Sequence, residues 1–391
     1  MAQTIVILGA GLAAAPLIRQ LMRTTVLGRD DLKLVVVAPN THFYWPIAIP
    51  RVMVPGQLAD DKVMFPWDAI FGQYPADKFE FVLGKASALD PSAKAVTVAL
   101  GAPDGHGSTR SVTYHTLVIA TGATARDDMP WKLLDTTERT AERLHSLQSD
   151  IRDAKTIVVA GGGATGSEVA GELGFEYAKS GVKEVYFVHS GNLPLAPPVL
   201  PSVRKQVATE LKKLNVKVIS DSTVANVSQT GRDTVLELRH ADGSTRTLTA
   251  QAYIPATGVT PNTAFAPASM LDERGYIKQT AQLKAEGYDD IFVMGDAGNL
   301  EGSKAQAAEA QTRHLIKALP VHLAGGSVPA YAPNTKETMA VTLGRSRGTG
   351  QAGSMKLFSL LVWWIKGRFL GTDYAPLYAA GKKSMMASFE K

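Results

Sequence analysis

Cysteine is absent from the 391-residue chain. Its absence excludes disulfides, thiolate metal ligands, iron–sulfur clusters and any cysteine nucleophile or redox pair. The eight histidines show no metal-ligand spacing, so the sequence predicts no metal site. Thiol–disulfide exchange and metal–thiolate chemistry are therefore outside the reach of this chain.

Long hydrophobic runs are also missing. No apolar run approaches the roughly 20 residues that a membrane-spanning helix needs, and the longest, "LLVWWI", occupies 360–365. No signal peptide precedes the first predicted strand, which begins almost at Met1. These absences predict a cytoplasmic protein whose contact with any membrane, the mitochondrial surface included, is peripheral.

The excess of positive charge, a formal +5, lies near one end of the chain. The stretch from Arg345 to Lys391 holds eight Lys or Arg residues against two acidic ones and carries +6, so the first 344 residues are nearly neutral. A nucleic-acid binder would more often spread such charge along a groove or a recognition helix. We therefore predict no nucleic-acid partner.

A strand, a glycine turn and a helix open the sequence: "QTIVILGAGLAAAPLIRQL" begins at Gln3. In its turn Gly9 makes the tight bend, Gly11 lets the backbone approach a pyrophosphate, and Ala14 allows close packing of helix against strand. The free N–H groups and the dipole of the helix N-terminus favour an anion there.

The same unit recurs about 150 residues later, as "TIVVAGGGATGSEVAGEL" from Thr156. Here Gly161, Gly163 and Gly166 take the three glycine roles. Each match follows an apolar strand and opens a helix, which is the context that gives the pattern its meaning. Because one dinucleotide needs only one such turn, the duplication predicts two dinucleotides, a bound flavin and a nicotinamide that visits it.

The order of the remaining elements predicts the fold. A strand ending in "ATGA" follows the first unit, a strand ending in "ATGV" follows the second, and then come the acidic turn "GDAG" and a separate tail. We predict an α/β protein with two Rossmann-like dinucleotide-binding domains, one for FAD and one for NAD(P)H, plus a small α+β C-terminal region. The predicted boundaries are 1–125 (FAD), 126–254 (NAD(P)H), 255–329 (FAD, second part) and 330–391 (C-terminal region).

These stretches resemble a known family, the pyridine nucleotide oxidoreductases, which are flavoproteins with two dinucleotide-binding domains. Within it the chain is most similar to the apoptosis-inducing-factor-like branch that includes the ferroptosis suppressor, a membrane-associated NAD(P)H:quinone reductase. The matching stretches are "VILGAGLAA", "FYWPIAIPR", "LVIATGAT", "VVAGGGATGSEVAGEL", "VYFVHS", "ATGVTPN", "FVMGDAG" and "LGRSRGTGQ".

The resemblance implies a set of flavin contacts. Arg51 matches the arginine that touches the flavin, Ala86 offers backbone contacts to the adenine, and Asp296 holds the ribityl region. The family's acidic residue at the end of the second strand is missing; Ala38 stands there, so Asn40 or a backbone group must replace it. The remaining implied cofactor contacts lie in the first glycine turn and in the two crossings between the domains: Gly9, Ala10, Gly11, Leu12, Ala13, Thr121, Gly122 and Gly258.

The predicted nicotinamide-binding unit has no charged residue at the position that distinguishes NADH from NADPH. The strand end of the second domain reads "VHS", so His189 and Ser190 stand where an acid would favour NADH or an arginine would favour NADPH. The sequence therefore predicts that both cofactors are accepted. His189 is either a ribose contact or an ordinary loop histidine.

Candidate catalytic residues follow each glycine-rich segment. Glu168, Glu172 and Glu176 recur every four residues on the helix after the second turn, and the resemblance implies that Glu168 faces the nicotinamide and the flavin. For Glu176 a solvated acidic stripe is the favoured interpretation. Gln306, and less strongly Gln311, lies where related NADH dehydrogenases line the quinone side of the flavin; ordinary packing is the alternative.

The predicted function is hydride transfer from NADH or NADPH to FAD and then electron transfer to a quinone-type acceptor. Disulfide reductases and sulfide:quinone reductases are excluded because they need cysteines beside the flavin. Two alternatives stay open: a reductase that feeds a partner protein, and a redox-controlled interaction protein with low turnover.

The C-terminal tail indicates that such an acceptor is reached at a membrane surface. "MKLFSLLVWWIKGRFL" (355–370) has helical spacing, and Trp363 and Trp364 beside Lys366 and Arg368 suit a headgroup boundary. The alternative is a helix packed on the flavin domain with its tryptophans in the core. The predicted apolar face consists of Phe358, Leu361, Val362, Ile365 and Phe369.

Overall fold

A computed structural model describes residues 3–101 and 107–389. The segment "GAPDGHGS" (101–108), for which the sequence predicts a glycine-rich surface turn, lies largely outside the described residues. The strands are β1 Gln3–Leu8, β2 Leu32–Ala38, β3 His42–Tyr44, β4 Met64–Pro66, β5 Phe79–Asp90, β6 Ala95–Leu100, β7 Thr109–Thr113, β8 Thr116–Ile119, β9 Ala123–Ala125, β10 Thr156–Ala160, β11 Glu184–Val188, β12 Lys217–Ile219, β13 Ser222–Thr230, β14 Asp233–His240, β15 Thr245–Ala250, β16 Ala252–Pro255, β17 Val259–Pro261, β18 Ile291–Val293, β19 Thr338–Leu343, β20 Arg347–Ala352 and β21 Met355–Leu357. The α-helices are α1 Ala14–Leu21, α2 Ile49–Val52, α3 Trp67–Phe71, α4 Thr137–Asp153, α5 Ala164–Leu173, α6 Pro201–Lys213, α7 Ala305–Leu323, α8 Ser359–Val362 and α9 Ala375–Ala379.

The first sheet has the strand order β18-β8-β1-β2-β5-β6-β7. Its central strands β18, β8, β1 and β2 and the first half of β5 run parallel, and they are almost continuously apolar because both faces are covered. The turn after β1 and the loop after β18 therefore leave the sheet at the same edge, where ligands of doubly wound sheets bind.

The second sheet is parallel, with the order β12-β11-β10-β16. An antiparallel sheet of β13, β14 and β15 packs on it through a small core that includes Leu236 and Leu238. All of these strands come from 156–255, so the second glycine turn belongs to a unit with its own sheet.

Two crossings join the units, and they pair with each other. The short strand β9 after β8 is antiparallel to β17 after β16. Asn262 fixes the crossing: its carbonyl oxygen accepts from the Thr121 hydroxyl at 2.7 Å, and its side-chain amide donates to the Thr121 carbonyl oxygen at 3.1 Å. The two "ATG" segments thus lead into a paired crossing between the sheets.

The C-terminal region combines a three-stranded antiparallel sheet, β19-β20-β21, with short helices. The single helix predicted for 355–370 is wrong at its start, because Met355–Leu357 forms β21 and pairs with β20. Helical structure begins at Ser359 and continues as a π-helical turn to Gly367. Val362, predicted on the exposed apolar face, is fully buried against this sheet.

Candidate active site

A cavity of about 900 Å³ lies at the carboxyl edge of the first sheet. This is near the upper end of the range of about 300–1,000 Å³ for ligand pockets. Its wall combines the first glycine turn, both ends of the β8–β9 crossing, the start of α5, the start of α7 and parts of the C-terminal region. These five stretches of sequence, far apart along the chain, therefore meet in one site.

The first glycine turn forms one wall of the cavity. Gly9 has a φ of +100°, and a Cβ there would overlap the carbonyl oxygen of Ala120, so only glycine fits. Gly11 differs: a Cβ there would meet no protein atom within 4 Å. Gly9 to Ala13 all line the cavity, and the free space beside Gly11 is what the close approach of a pyrophosphate requires.

The adenosine end of the cavity carries an unsatisfied donor. Asn40, two residues after β2, is 5% exposed, and its Nδ2 has no hydrogen-bond partner among the described residues. Buried polar groups normally have a hydrogen-bond partner, so we expect this amide to donate to a bound ligand. Asn40 lines the cavity together with Ala86. The donor lies where a ribose or adenine is expected, although Ala38 has replaced the usual acid.

Asp296 follows β18 and lines the cavity, and its carboxylate forms an ion pair with Lys132. Gln311 fixes the preceding residue, because its Oε1 accepts from the Gly295 backbone N–H at 2.7 Å. Gln311 is 2% exposed and does not line the cavity, so it supports the loop. Lys132 was not predicted; nothing in "MPWKLLD" marks it, and only its position beside Asp296 shows it to be part of the site.

The second glycine turn is built like the first but is open. A Cβ at Gly161 would overlap the Ala256 carbonyl oxygen, and one at Gly166 would overlap the Gly161 carbonyl oxygen. Gly163 is exposed, and a Cβ there would meet nothing within 4 Å. None of the three lines the cavity, which reaches this unit only at Ala164, Thr165 and Glu168.

His189 and Ser190 lie beside this open turn. His189 is 3% exposed, its Cβ lies next to Gly162, and its Nδ1 has no partner among the described residues. Desolvation lowers the pKa of His189 below its usual value, so the ring is neutral at pH 7. Ser190 is exposed. Both remain candidates for contacts to the adenosine ribose.

Glu168 on α5 faces the cavity and is paired across it. Its Oε1 accepts from Lys366 Nζ at 2.6 Å and from the Thr342 backbone N–H at 2.9 Å. Lys366, which also lines the cavity, donates in addition to the Ala340 carbonyl oxygen at 3.0 Å. A carboxylate from the second unit and an ammonium from the C-terminal region therefore meet at the cavity wall. The sequence did not predict this partner.

Arg51 does not line the cavity, and its predicted flavin contact stays a prediction. The guanidinium is buried and donates to Glu172 on α5, with an Nη2–Oε1 distance of 2.8 Å. It also donates to the Gly367 carbonyl oxygen at 2.9 Å. Burial raises the pKa of the Glu172 carboxyl, and the guanidinium opposes that shift. Arg51 thus joins α2, α5 and the end of the C-terminal π-helical turn.

Glu176 was predicted to belong to a solvated acidic stripe, and the structure corrects this prediction. Its carboxylate forms a partly buried ion pair with Arg345, at the β19–β20 turn. The three glutamates therefore pair with three basic residues from other parts of the chain. Two of these, Arg345 and Lys366, belong to the basic tail, so part of the tail's charge is neutralised inside the protein.

The remaining predicted residues divide between the cavity and its surroundings. Gln306 is exposed at the start of α7 and lines the cavity. Thr121 and Gly122 line it as well. Gly258 does not; it is exposed at the other crossing, where its carbonyl oxygen accepts from the Arg126 backbone N–H. In the described part of the chain, no cluster of acidic or histidine side chains is suited to a metal ion.

The model of one family, pyridine nucleotide-disulphide oxidoreductase, matches residues 3–312. The chain belongs to this family. Its cysteine-free sequence, however, leaves it without the dithiol that the family name mentions.

Two curated relatives and two solved structures give the range of similarity. Oxidoreductase ptaL of Pestalotiopsis fici is 34% identical over 93% of this chain and 95% of the relative, and ferroptosis suppressor protein 1 of Mus musculus is 26% identical over 94% and 93%. NDH2 from Plasmodium falciparum, solved in complex with NADH, has a TM-score of 0.76 at 14% identity, with 97% of this chain and 99% of that one covered. The sulfide:quinone oxidoreductase of Aquifex aeolicus has a TM-score of 0.74 at 17% identity, with 99% of this chain and 94% of that one covered.

Family membership identifies the chain as a flavin-dependent NAD(P)H oxidoreductase with FAD as its cofactor. The site fits FAD: Gly11 leaves space for a pyrophosphate, and the unsatisfied Asn40 amide needs a polar partner. FAD, when bound, supplies two-electron redox chemistry. The chain supplies the rest, which is position, exclusion of water and the charged pair Glu168–Lys366.

Proposed function

We propose that the protein oxidises NADH or NADPH and passes the electrons to a quinone-type acceptor. The balanced reaction takes two electrons and a proton from NAD(P)H and a second proton from solvent, and it gives NAD(P)⁺ and the quinol. One observation carries the proposal: the cavity runs from the first glycine turn past Glu168–Lys366 to Ile365, which both lines the cavity and is half exposed on an apolar surface.

The roles of the chain's own residues follow from their positions. Gly163 and the start of α5 bind the nicotinamide nucleotide, and the cavity wall at Ala164 and Thr165 orients its reactive end. Reduction of a quinone builds negative charge on its oxygens, and the Lys366 ammonium is placed to stabilise that charge or to donate a proton. Glu168 holds Lys366 in place.

The apolar surface supports an acceptor drawn from lipid. It consists of side chains that are 41–82% exposed: Phe358, Leu360, Leu361, Trp364, Ile365 and Phe369. Exposed Lys356 and Arg368 flank this surface and suit anionic headgroups. No described helix meets the length and hydropathy needed to cross a bilayer, so the proposed contact is peripheral.

The first experiment separates the two half-reactions in a stopped-flow instrument. NADH should bleach the purified yellow protein, and a short-chain quinone should restore the colour faster than air does. Lys366→Met should slow re-oxidation by quinone by about tenfold or more, as expected for loss of one charge-stabilising group, and it should leave FAD content unchanged. Re-oxidation only by a protein acceptor, or none at all, contradicts the proposal.

The second experiment tests the membrane contact by flotation with liposomes that contain anionic lipid. The wild-type protein should float at low salt and release at high salt. Leu360→Glu with Trp364→Glu should stay in the soluble fraction and lose activity on a long-chain quinone only. Val182→Glu, at an equally exposed apolar residue of the second unit, is the matched control. Wild-type protein at the bottom of the low-salt gradient contradicts membrane binding.

A further inference from the structure

Glu309 is a buried carboxylate that the proposed reaction does not use. It lies on α7 and is 1% exposed. Its Oε1 accepts from the Ser384 hydroxyl at 2.7 Å and from the Met386 backbone N–H at 2.9 Å, while its Oε2 has no hydrogen-bond partner among the described residues. Burying a carboxylate is costly unless its bonds are made. Both bonds that Glu309 makes go to one short segment near the end of the chain.

That segment, Lys382–Phe389, is named here the C-terminal strap. Within it the Ser384 backbone N–H donates to the Ala387 carbonyl oxygen, the Phe389 backbone N–H donates to the Lys382 carbonyl oxygen, and Lys383 and Ser388 form an antiparallel bridge. Ser384 is 1% exposed, whereas Met386 is 75% exposed. Met385 and Met386 line the flavin cavity. The strap is therefore held at its serine and presents its methionines to the cavity.

The entry to the strap is fixed independently of Glu309. Gly381 has a φ of +66°, and a Cβ there would overlap Arg19 and the Ala15 carbonyl oxygen on α1. The Gly381 carbonyl oxygen accepts from the Gln20 side chain at 3.4 Å. The chain thus leaves α1 at a set point. The Lys382 and Lys383 backbone N–H groups then donate to the Leu377 carbonyl oxygen on α9, and the bonds to Glu309 follow.

The helix that carries Glu309 is tied to the flavin side of the cavity. Thr312 on α7 donates to the Ala13 carbonyl oxygen of the first glycine turn at 2.8 Å. Ala305, Gln306 and Ala308, just before Glu309, line the cavity. The position of the strap relative to the flavin site is therefore transmitted through α7.

We propose that Glu309 is a positioning residue for the acceptor side of the cavity, because it fixes the strap whose Met385 and Met386 form part of the cavity wall. Methionine side chains adapt to ligands of varied shape, so a fixed strap gives a defined but tolerant wall for an apolar acceptor. This inference rests on the proposed quinone reduction for its kinetic part and on the hydrogen bonds alone for its structural part.

The structural part is tested by hydrogen exchange on the FAD-loaded protein. Glu309→Leu removes both acceptors and should speed exchange in 382–389 by about tenfold or more, since a hydrogen bond to a charged group is worth at least that factor. Glu309→Gln keeps an oxygen acceptor and should retain most of the protection. Ser384→Ala removes the hydroxyl's bonds to Glu309 and to Ala387 but keeps the Met386 bond to Glu309, so exchange at Met386 should be intermediate. Glu210→Leu, at a similarly buried glutamate on α6, is the control and should leave the strap unchanged.

The kinetic part uses the same variants with a short-chain quinone. Glu309→Leu should change the KM for quinone several-fold and leave the rate of flavin reduction by NADH unchanged. If the wild-type protein reduces no quinone, the proposed function fails, and exchange still decides whether Glu309 holds the strap. Unchanged exchange in Glu309→Leu and Ser384→Ala, or faster exchange with an unchanged KM in an active enzyme, overturns the inference.

Discussion

The two glycine turns share the G-x-G spacing and a positive φ at the first glycine, yet one is enclosed and the other is open. In both, the first glycine has a positive φ and packs against a carbonyl oxygen of a crossing strand, at Ala120 or at Ala256. Gly11 nevertheless lines a cavity of about 900 Å³, whereas Gly163 is exposed at the surface. We propose that the enclosed turn holds the resident FAD and that the open turn holds the visiting nicotinamide nucleotide.

The enclosure of the first turn comes from elements that follow both glycine units in the sequence. Thr312 on α7 donates to the Ala13 carbonyl oxygen at 2.8 Å, and Tyr378 on α9 donates to the Leu12 carbonyl oxygen at 3.0 Å. These contacts cover the turn and bury the site. A ligand buried in this way dissociates slowly, as a resident cofactor must, while a co-substrate needs an open turn to enter and leave on every cycle.

The largest effect is expected at Gly11. Gly11→Val places a branched side chain in the space beside the first helix N-terminus, so FAD should be lost and the purified protein should be colourless. The substitution meets no protein atom within 4 Å at Cβ, so the fold should survive. Flavin absorbance together with far-UV circular dichroism measures both.

The Gly11 variant has a built-in control. Gly9→Val must displace the Ala120 carbonyl oxygen and should unfold the domain as well as remove FAD. A yellow Gly11→Val protein with normal FAD content would show that the enclosed turn does not bind the pyrophosphate.

The matched substitution at the open turn should separate the two sites. Gly163→Val should keep the protein yellow, because Gly163 lies outside the cavity, and should lower the rate of flavin reduction by NADH by about 100-fold or more, as expected when bound geometry is lost. Anaerobic stopped-flow bleaching measures the rate, and reduction by dithionite is the control. Normal bleaching by NADH would remove the distinction between resident and visiting nucleotide.

The third prediction concerns the ion pair that joins the two units. Arg51→Met leaves Glu172 buried without its partner, which should cost about 3–5 kcal/mol of stability. The double variant Arg51→Met, Glu172→Leu should recover much of that loss, because an apolar pair of similar volume often replaces a buried ion pair at little cost. Urea unfolding of the four proteins gives the coupling energy.

The same variants decide between the two roles considered for Arg51. As a link between units, Arg51 can be replaced in the double variant with FAD content retained. As a flavin contact, it cannot. If the stability losses add up in the double variant, or if FAD is lost whenever Arg51 is replaced, the flavin contact that the sequence resemblance implied would be favoured.

Sequence reasoning predicted both glycine units because their requirements are local. Buried parallel strands are apolar runs, and a tight turn under a helix needs glycine at fixed spacing. The fold class, the FAD and NAD(P)H cofactors and the flavoprotein family followed from these signals and are confirmed.

The pairings inside the site were not predicted, because they join distant residues. Glu168 meets Lys366 across 198 positions, and Arg51 meets Glu172 across 121. Residue type alone does not choose among 41 basic and 36 acidic side chains. The start of the C-terminal helix was wrong for a related reason: Met355–Leu357 has helical spacing, but the edge of β20 offers it strand hydrogen bonds, and tertiary pairing overrides propensity.

The smallest effect is expected at His189 and Ser190, the residues beside the open turn that could distinguish NADH from NADPH. His189 is buried with a lowered pKa, and the nearby Arg204 guanidinium is already engaged by the Pro194 and Leu195 carbonyl oxygens. The wild-type ratio of kcat/KM for NADH and NADPH should therefore lie within about 100-fold, or ~2.7 kcal/mol. Ser190→Arg should shift that ratio about tenfold toward NADPH, and Ser190→Asp should shift it toward NADH.

The same ratio should also depend on pH, with a sign set by His189. Because burial lowers the pKa of this histidine, the ring gains its positive charge only at pH values below its ordinary pKa of about 6.5. Relative kcat/KM for NADPH should therefore rise as pH falls through that range and stay flat above it. In His189→Gln the rise should disappear while FAD content stays normal. A ratio that is independent of pH in the wild-type protein would assign His189 to packing against Gly162 and leave Ser190 as the selector.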